Sequence, residues 1–200
     1  MARDFMTDHG QLRDLEGQQY VVLRPTGAVM HEWDRSRDTA QRRLGGTVRY
    51  PGAAHVTLRG LYEPERVDEV RAVIGEWAAQ QHPIELVTEA VDSFPAPWQI
   101  VIARLARTPS LVHAYASLTD ALDRTDLRRI GELPLDDWTF HLSTVYAKAL
   151  DAEDWARLAS DTRHDYPTPP VETVAEVELV TYRDATEHRE VIALGGRGVS

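Results

Sequence analysis

Along this chain the spacing of apolar residues alternates between a period of two and a period near 3.6, and it runs through the same order twice. That ordering constrains the fold more than any single residue, because every strand-length run must find neighbours and every amphipathic helix must cover a sheet face. In the first half, QYVVLRP reads as a strand ended by Pro25. AVMHEWDRSRDTAQRRLGG follows as a helix closed by Gly45 and Gly46. HVTLRGLY is the next strand. A helix then begins near Pro64, with Val67, Val70, Ile74 and Trp77 on one side, and IELVTEAVDSF is a strand stopped by PAP. The order restarts with the strand WQIVIARLA. Thr108 and Pro109 open a helix that carries Leu111, Tyr115, Leu118 and Leu122 on one face. WTFHLSTVYA is a strand, Asp151 caps AEDWARLASDTRH, and YPTPP ends that helix. VETVAEVELVTYR and EHREVIALGG close the chain as a hairpin. Residues 1–18 are polar and read as an N-terminal extension, expected to fray.

The duplication rests on this order of elements, since the halves share little residue identity beyond one motif. Within the strand AAHVTLRGLY, Val56 and Leu58 point to an apolar layer. His55 and Thr57, two residues apart, share the opposite face. FHLSTVYA repeats the pattern with His141 and Ser143, in the corresponding strand of the second half. The chain has eight histidines, so a His-x-Ser/Thr match arises about once by chance. The equivalent placement of the two matches is what makes them informative. If the halves face each other, two imidazole–hydroxyl pairs meet across a cleft. One neutral histidine can then take a proton from an attacking water or hydroxyl, and the other, protonated, can supply one to a leaving oxygen. Thr57 and Ser143 can donate hydrogen bonds to non-bridging phosphate oxygens. That is phosphodiester chemistry, and it calls on no metal or other cofactor.

Composition narrows the alternatives. The 200 residues include no cysteine, which excludes disulfides, thiolate metal sites and cysteine nucleophiles and fits a cytoplasmic protein. No apolar run approaches the roughly 18 residues of a membrane span, and the N-terminus is too polar for a secretory signal. The net charge of −10 argues against long-range attraction to a long nucleic acid. A small anionic substrate in a locally positive pocket is compatible with it. No Asp-rich loop or H-E-x-x-H motif is present.

HVTL and HLST resemble the paired H-x-[T/S]-x motifs of the 2H phosphoesterase superfamily, in particular the branch of 2′-5′ RNA ligase-like proteins and 2′,3′-cyclic phosphodiesterases. The resemblance covers residues 19–194, and the second motif carries Ser where Thr is commoner. It implies an α+β fold of two pseudo-symmetric lobes, each an antiparallel sheet with helices on its outer face, around a central groove. A single bilobal domain would span residues 19–200, with lobes of roughly 19–95 and 96–200 and possible exchange of strands between them. By the same resemblance His55 and His141 are the acid–base pair and Thr57 and Ser143 bind phosphate. The substrate is a nucleotide or short RNA with a 2′,3′-cyclic phosphate. Alternatives are 2′-5′ ligase or phosphodiesterase activity, or binding of a nucleotide or RNA without chemistry. A monomer is favoured.

Three further features complete the reading. Arg59 lies one more i+2 step along the His55 face and could reach a phosphate. Trp98, Trp138, Tyr50, Tyr62 and Tyr146 could stack a base, although core or lobe packing is the commoner use of such residues; strict alternation turns Tyr146 away from the cleft. The glycine pairs in RLGG and LGGRGVS lack the strand–helix context of a phosphate-binding loop.

Overall fold

The computed structural model describes residues 3–195; residues 196–200, with the second glycine of the LGGRGVS pair, lie outside them. In chain order the elements are α1 (His9–Asp14), β1 (Gln18–Leu23), α2 (Ala28–Leu44), β2 (Val56–Tyr62), α3 (Val67–Ala78), β3 (Ile84–Phe94), β4 (Ile100–Leu105) and α4 (Pro109–Leu122). They continue with β5 (Arg129–Ile130), β6 (His141–Tyr146), α5 (Ala152–Thr162), β7 (His164–Asp165), β8 (Val171–Val174), β9 (Glu176–Arg183) and β10 (Thr186–Ala193). The strands form two antiparallel sheets. One has the order β10-β9-β1-β2-β5; the other has the order β6-β4-β3-β7, with β8 also paired to β3.

Local chemistry sets the helix boundaries. Thr108 caps α4 by accepting from the Leu111 amide, and Pro109 occupies the first helical turn, where its missing N–H costs nothing. Asp151 accepts from the Asp154 amide at the start of α5. Gly45, with φ of +58°, ends α2 in a conformation that a side chain resists. The start of α2 has no cap of its own. Glu172 of β8 reaches it instead, and its carboxylate accepts from the amides of Thr26, Gly27, Val29 and Met30 at 2.6–3.3 Å. A negative charge placed there answers both the orphan N–H groups and the positive end of the helix dipole.

The main core lies on the helix side of both sheets. Val21, Val56 and Leu58 of the first sheet and Ala103, Leu105 and Leu142 of the second join Val70, Ile74 and Trp77 of α3 and Leu111, Tyr115 and Leu118 of α4. A second cluster packs Trp155 and Leu158 of α5 on Val91, Val101 and Val145.

The structure departs from the sequence reading in two places. The run VETVAEVELVTYR is not one strand: it breaks at Ala175, so that β8 joins β3 in one sheet and β9 joins β1 in the other. The sheets exchange strands between the halves of the chain, as the bilobal expectation allowed: β3 pairs with β4, and the C-terminal hairpin pairs with β1. Nor do residues 3–18 fray. Phe5 and Leu12 are buried with Val22, Val180 and Tyr182 on the face of the first sheet opposite its helices. Two scattered apolar side chains carry too weak a pattern to announce this packing.

Candidate active site

His55 immediately precedes β2 and His141 opens β6. In both, Nδ1 lies against the carbonyl two residues earlier, Ala53 O at 3.3 Å and Thr139 O at 2.8 Å. A carbonyl can only accept, so Nδ1 carries the proton of the neutral ring and Nε2 keeps its lone pair. Ala53 and Ala54 are buried before the first histidine, and Phe140 is buried before the second. The Trp33 indole of α2 donates to the Ser143 carbonyl at 2.8 Å and ties β6 to the helix layer.

A β-bulge follows each motif. Val22 pairs with Thr57 but Val21 pairs with Arg59, leaving Leu58 without a partner. Ile102 pairs with Ser143 but Val101 pairs with Val145, leaving Thr144 without one. A bulge inserts one residue and shifts every later side chain to the other face. This overturns the expectation for Arg59. It shares the face of its register partner Val21, which belongs to the helix-side core, rather than continuing the His55–Thr57 face. There the Arg59 guanidinium is 2% exposed, stacks 3.6 Å from the Tyr115 ring centre, bonds the Thr119 hydroxyl and lies 3.6 Å from Glu132. The same shift corrects Tyr146, which comes back to the groove face opposite Ile100. Strict alternation, on which both expectations rested, cannot see a bulge.

The groove face of the first sheet carries Tyr20 and Val22 of β1, His55 and Thr57, and Val180 and Tyr182 of β9, around a cavity of about 70 Å³ that Phe5 also lines. The Tyr20 and Tyr182 rings meet edge-on, with centres 6.2 Å apart. Each histidine has a phenylalanine against its ring: Phe5 at 4.4 Å from His55 and Phe94 at 4.8 Å from His141, both edge-on. Burial pushes His55 down to about 4, and the positive charges of His141 and Arg24 push the same way. Burial also lowers His141, against the Thr139 carbonyl that favours its charged form. Burial raises the Tyr146 and Tyr182 hydroxyls, which stay protonated donors. Two arginines stand near the pair. Arg24 is held by both carboxylate oxygens of Glu178 at 2.6 and 2.9 Å. Arg104, the register partner of His141, is paired with Glu89 and Asp92.

Several of these residues were not legible in the sequence. Phe94 follows Asp92 on the groove face of β3 by simple alternation, a signal that was there to use. Phe5 and Arg24 reach His55 only through tertiary packing. Among the candidate base-stacking aromatics, Trp138 packs on Tyr115, Tyr50 bonds the Ala40 carbonyl and Tyr62 carries Arg128. Trp98, 58% exposed, stands in the β3–β4 turn with Lys148 5.4 Å from its ring centre. Among the described residues no group of three or more His, Asp or Glu is placed to hold a metal ion, and no helix is long and apolar enough to cross a membrane.

A sequence search of curated proteins found no match. Among solved structures, TT0787 of Thermus thermophilus superposes with a TM-score of 0.66 at 15% identity, covering 90% of this chain and 100% of that one. E. coli LigT complexed with 3′-AMP gives 0.54 at 15% identity, with 90% and 100% covered. Usb1 of Kluyveromyces marxianus gives 0.53 at 9% identity, with the same coverage. At such identities these likenesses establish the two-lobed fold. The profile of the 2′-5′ RNA ligase superfamily matches residues 25–186, a stretch that contains both histidine motifs, and the chain therefore belongs to that superfamily of two-histidine phosphoesterases.

Proposed function

We propose that the protein is a metal-independent phosphodiesterase that opens 2′,3′-cyclic phosphates on nucleotides or RNA ends, acting in the cytoplasm. One observation carries this reading: two imidazoles with Nδ1 held by a carbonyl, which leaves the lone pair on Nε2, each two residues from a hydroxyl, in equivalent places of the two sheets. Two considerations support a small substrate. E. coli LigT has been crystallised with 3′-AMP, with ATP and with NADP+. A chain of net charge −10 is also poorly suited to a long polyanion.

In this mechanism water attacks phosphorus in line with the leaving ribose oxygen. His55, held neutral by burial and by the charges of Arg24 and His141, takes the water proton at Nε2. His141, protonated, delivers its proton to the ribose oxygen as the P–O bond breaks. The Thr57 and Ser143 hydroxyls donate to the non-bridging oxygens, where negative charge builds. Bound phosphate also stabilises the charged form of His141, which an empty groove does not.

The test is hydrolysis of a 2′,3′-cyclic mononucleotide followed by chromatography. His55→Ala and His141→Ala should each lower kcat by about 10²–10⁴-fold. A diester with a nitrophenolate leaving group, which needs no proton, should restore rate to His141→Ala and not to His55→Ala. Rescue of His55→Ala alone would reverse the two roles. Near-normal rates in both variants would end the reading.

A further inference from the structure

Residues 3–17 lie across the groove face of the first sheet and are fastened at several points. The Gly17 amide donates to the Tyr182 carbonyl at 2.9 Å, and the Gly52 amide, just before His55, donates to the Phe5 carbonyl at 3.0 Å. A Cβ at Gly52 would run into the Asp4 carbonyl, so the strap passes where only glycine leaves room. Glu187 of β10, its side chain 2% exposed, accepts from the Phe5 and Met6 amides at 3.0–3.1 Å and from the Tyr182 hydroxyl at 3.2 Å. Glu16 accepts from the amides of Asp184 and Ala185 in the β9–β10 turn. Asp8 faces Arg49 at 3.7 Å, and Arg3 pairs with Asp34 of α2 at 2.8 Å.

What this strap delivers is one ring. Phe5 is 2% exposed. The Arg24 guanidinium lies over its face at 4.0 Å, and the His55 imidazole meets it edge-on at 4.4 Å, the planes inclined by 61°. On the other sheet Phe94 does the same for His141, but from β3 and within the fold common to both lobes. Phe5 therefore completes a two-fold arrangement that the paired strands alone leave half made. It lies outside residues 25–186, the stretch that the superfamily profile matches.

We propose that the strap is part of the active site and that Phe5 is a positioning residue for His55: its ring closes the His55 side of the groove, keeps water off the imidazole and fixes which edge faces the phosphate. This rests on the reading of His55 as a proton-transfer group. The other charged and titratable groups around His55 are accounted for. Arg24 is held in place by Glu178 and acts on His55 by its charge, His141 acts the same way from across the groove, Tyr182 stays protonated, and Glu187 is engaged with the strap amides. With Arg24 and His141 unchanged, loss of the ring alters chiefly the hydration of His55, and a hydrated imidazole protonates more easily.

The experiment is NMR titration of the histidine rings in the parent and in Phe5→Ala, Phe5→Leu and Glu187→Gln, beside pH profiles of kcat/KM on a 2′,3′-cyclic mononucleotide. In Phe5→Ala the His55 midpoint should rise by about one to two pH units towards that of a free imidazole, and the acid limb of the profile should move with it. His141, covered by Phe94 and touched by the change only through its charge coupling to His55, should move by much less and gives the comparison. Phe5→Leu, which keeps apolar cover, should restore most of the parent behaviour. Glu187→Gln, which loosens the strap without emptying the core, should move His55 part of the way; it decides the matter if Phe5→Ala does not fold. An unmoved His55 in folded Phe5→Ala, in a parent that turns over the substrate, overturns the role of Phe5 alone. A shifted His55 in a parent without turnover upholds the Phe5–His55 coupling and rejects the phosphodiesterase reading.

Discussion

At the scale of single residues, His55 carries a consequence for stability as well as for catalysis. Its folded form resists protonation down to about pH 4, whereas a histidine in the unfolded chain protonates near 6.5. A depressed value means that the unfolded state binds the proton first. The stabilisation is complete above about pH 6.5 and is lost as pH falls through the window towards 4. His141 is lowered in the same direction and adds to the slope. Stability should fall by about 1 kcal/mol per pH unit between pH 6.5 and 5, a range in which ordinary carboxylates stay ionised. Denaturant titrations of the parent and His55→Gln at several pH values would check this; a slope unchanged by the substitution would remove His55 as its source. Arg59 illustrates the opposite case, a charged residue whose whole environment is structural. Its contacts with Tyr115, Thr119 and Glu132 lie on the helix side of β2, and nothing at the motif itself foretold them.

At the scale of elements, period and cap chemistry made most of the fold legible. The boundaries of α2, α4 and α5 fall where Gly45, Thr108 and Asp151 end or begin them. The i, i+2 spacing put His55 with Thr57 and His141 with Ser143 on common faces. What escaped was whatever depends on pairing. The bulges at Leu58 and Thr144 re-aim Arg59 and Tyr146; β5 and β7, two residues each, carry no periodicity; and the break at Ala175 is visible only once β3 and β1 compete for the two halves of that run. Glu172 is a further long-range element, a strand residue doing the work of a helix cap. Glu172→Ala should cost about 1–2 kcal/mol. Glu172→Gln, which keeps an acceptor and loses the charge, should cost less. Both are readable as shifts in the denaturation midpoint, and equal losses in the two would assign the whole effect to charge.

At the scale of the molecule, the two sheets trade strands, and this joins the ends of the sequence. β9 lies beside β1, and the strap packs on both β9 and the β9–β10 turn. A chain ending at Pro170 would lose β8, β9 and β10, and with them the Glu172 cap of α2, the Glu178 partner of Arg24 and the Glu187 anchor of the strap. Such a truncation should fail to give a cooperative thermal transition or dispersed NMR resonances. A folded product would mean that the lobes are independent. The same adjacency has a meaning for biogenesis. β1 leaves the ribosome long before its neighbour β9, with seven strands made between them, so the first sheet stays open while the intervening chain is synthesised. The His55 half of the groove is assembled only once β9 has been made, and until then the nascent chain carries an unpaired β1 edge of the kind that chaperones shield.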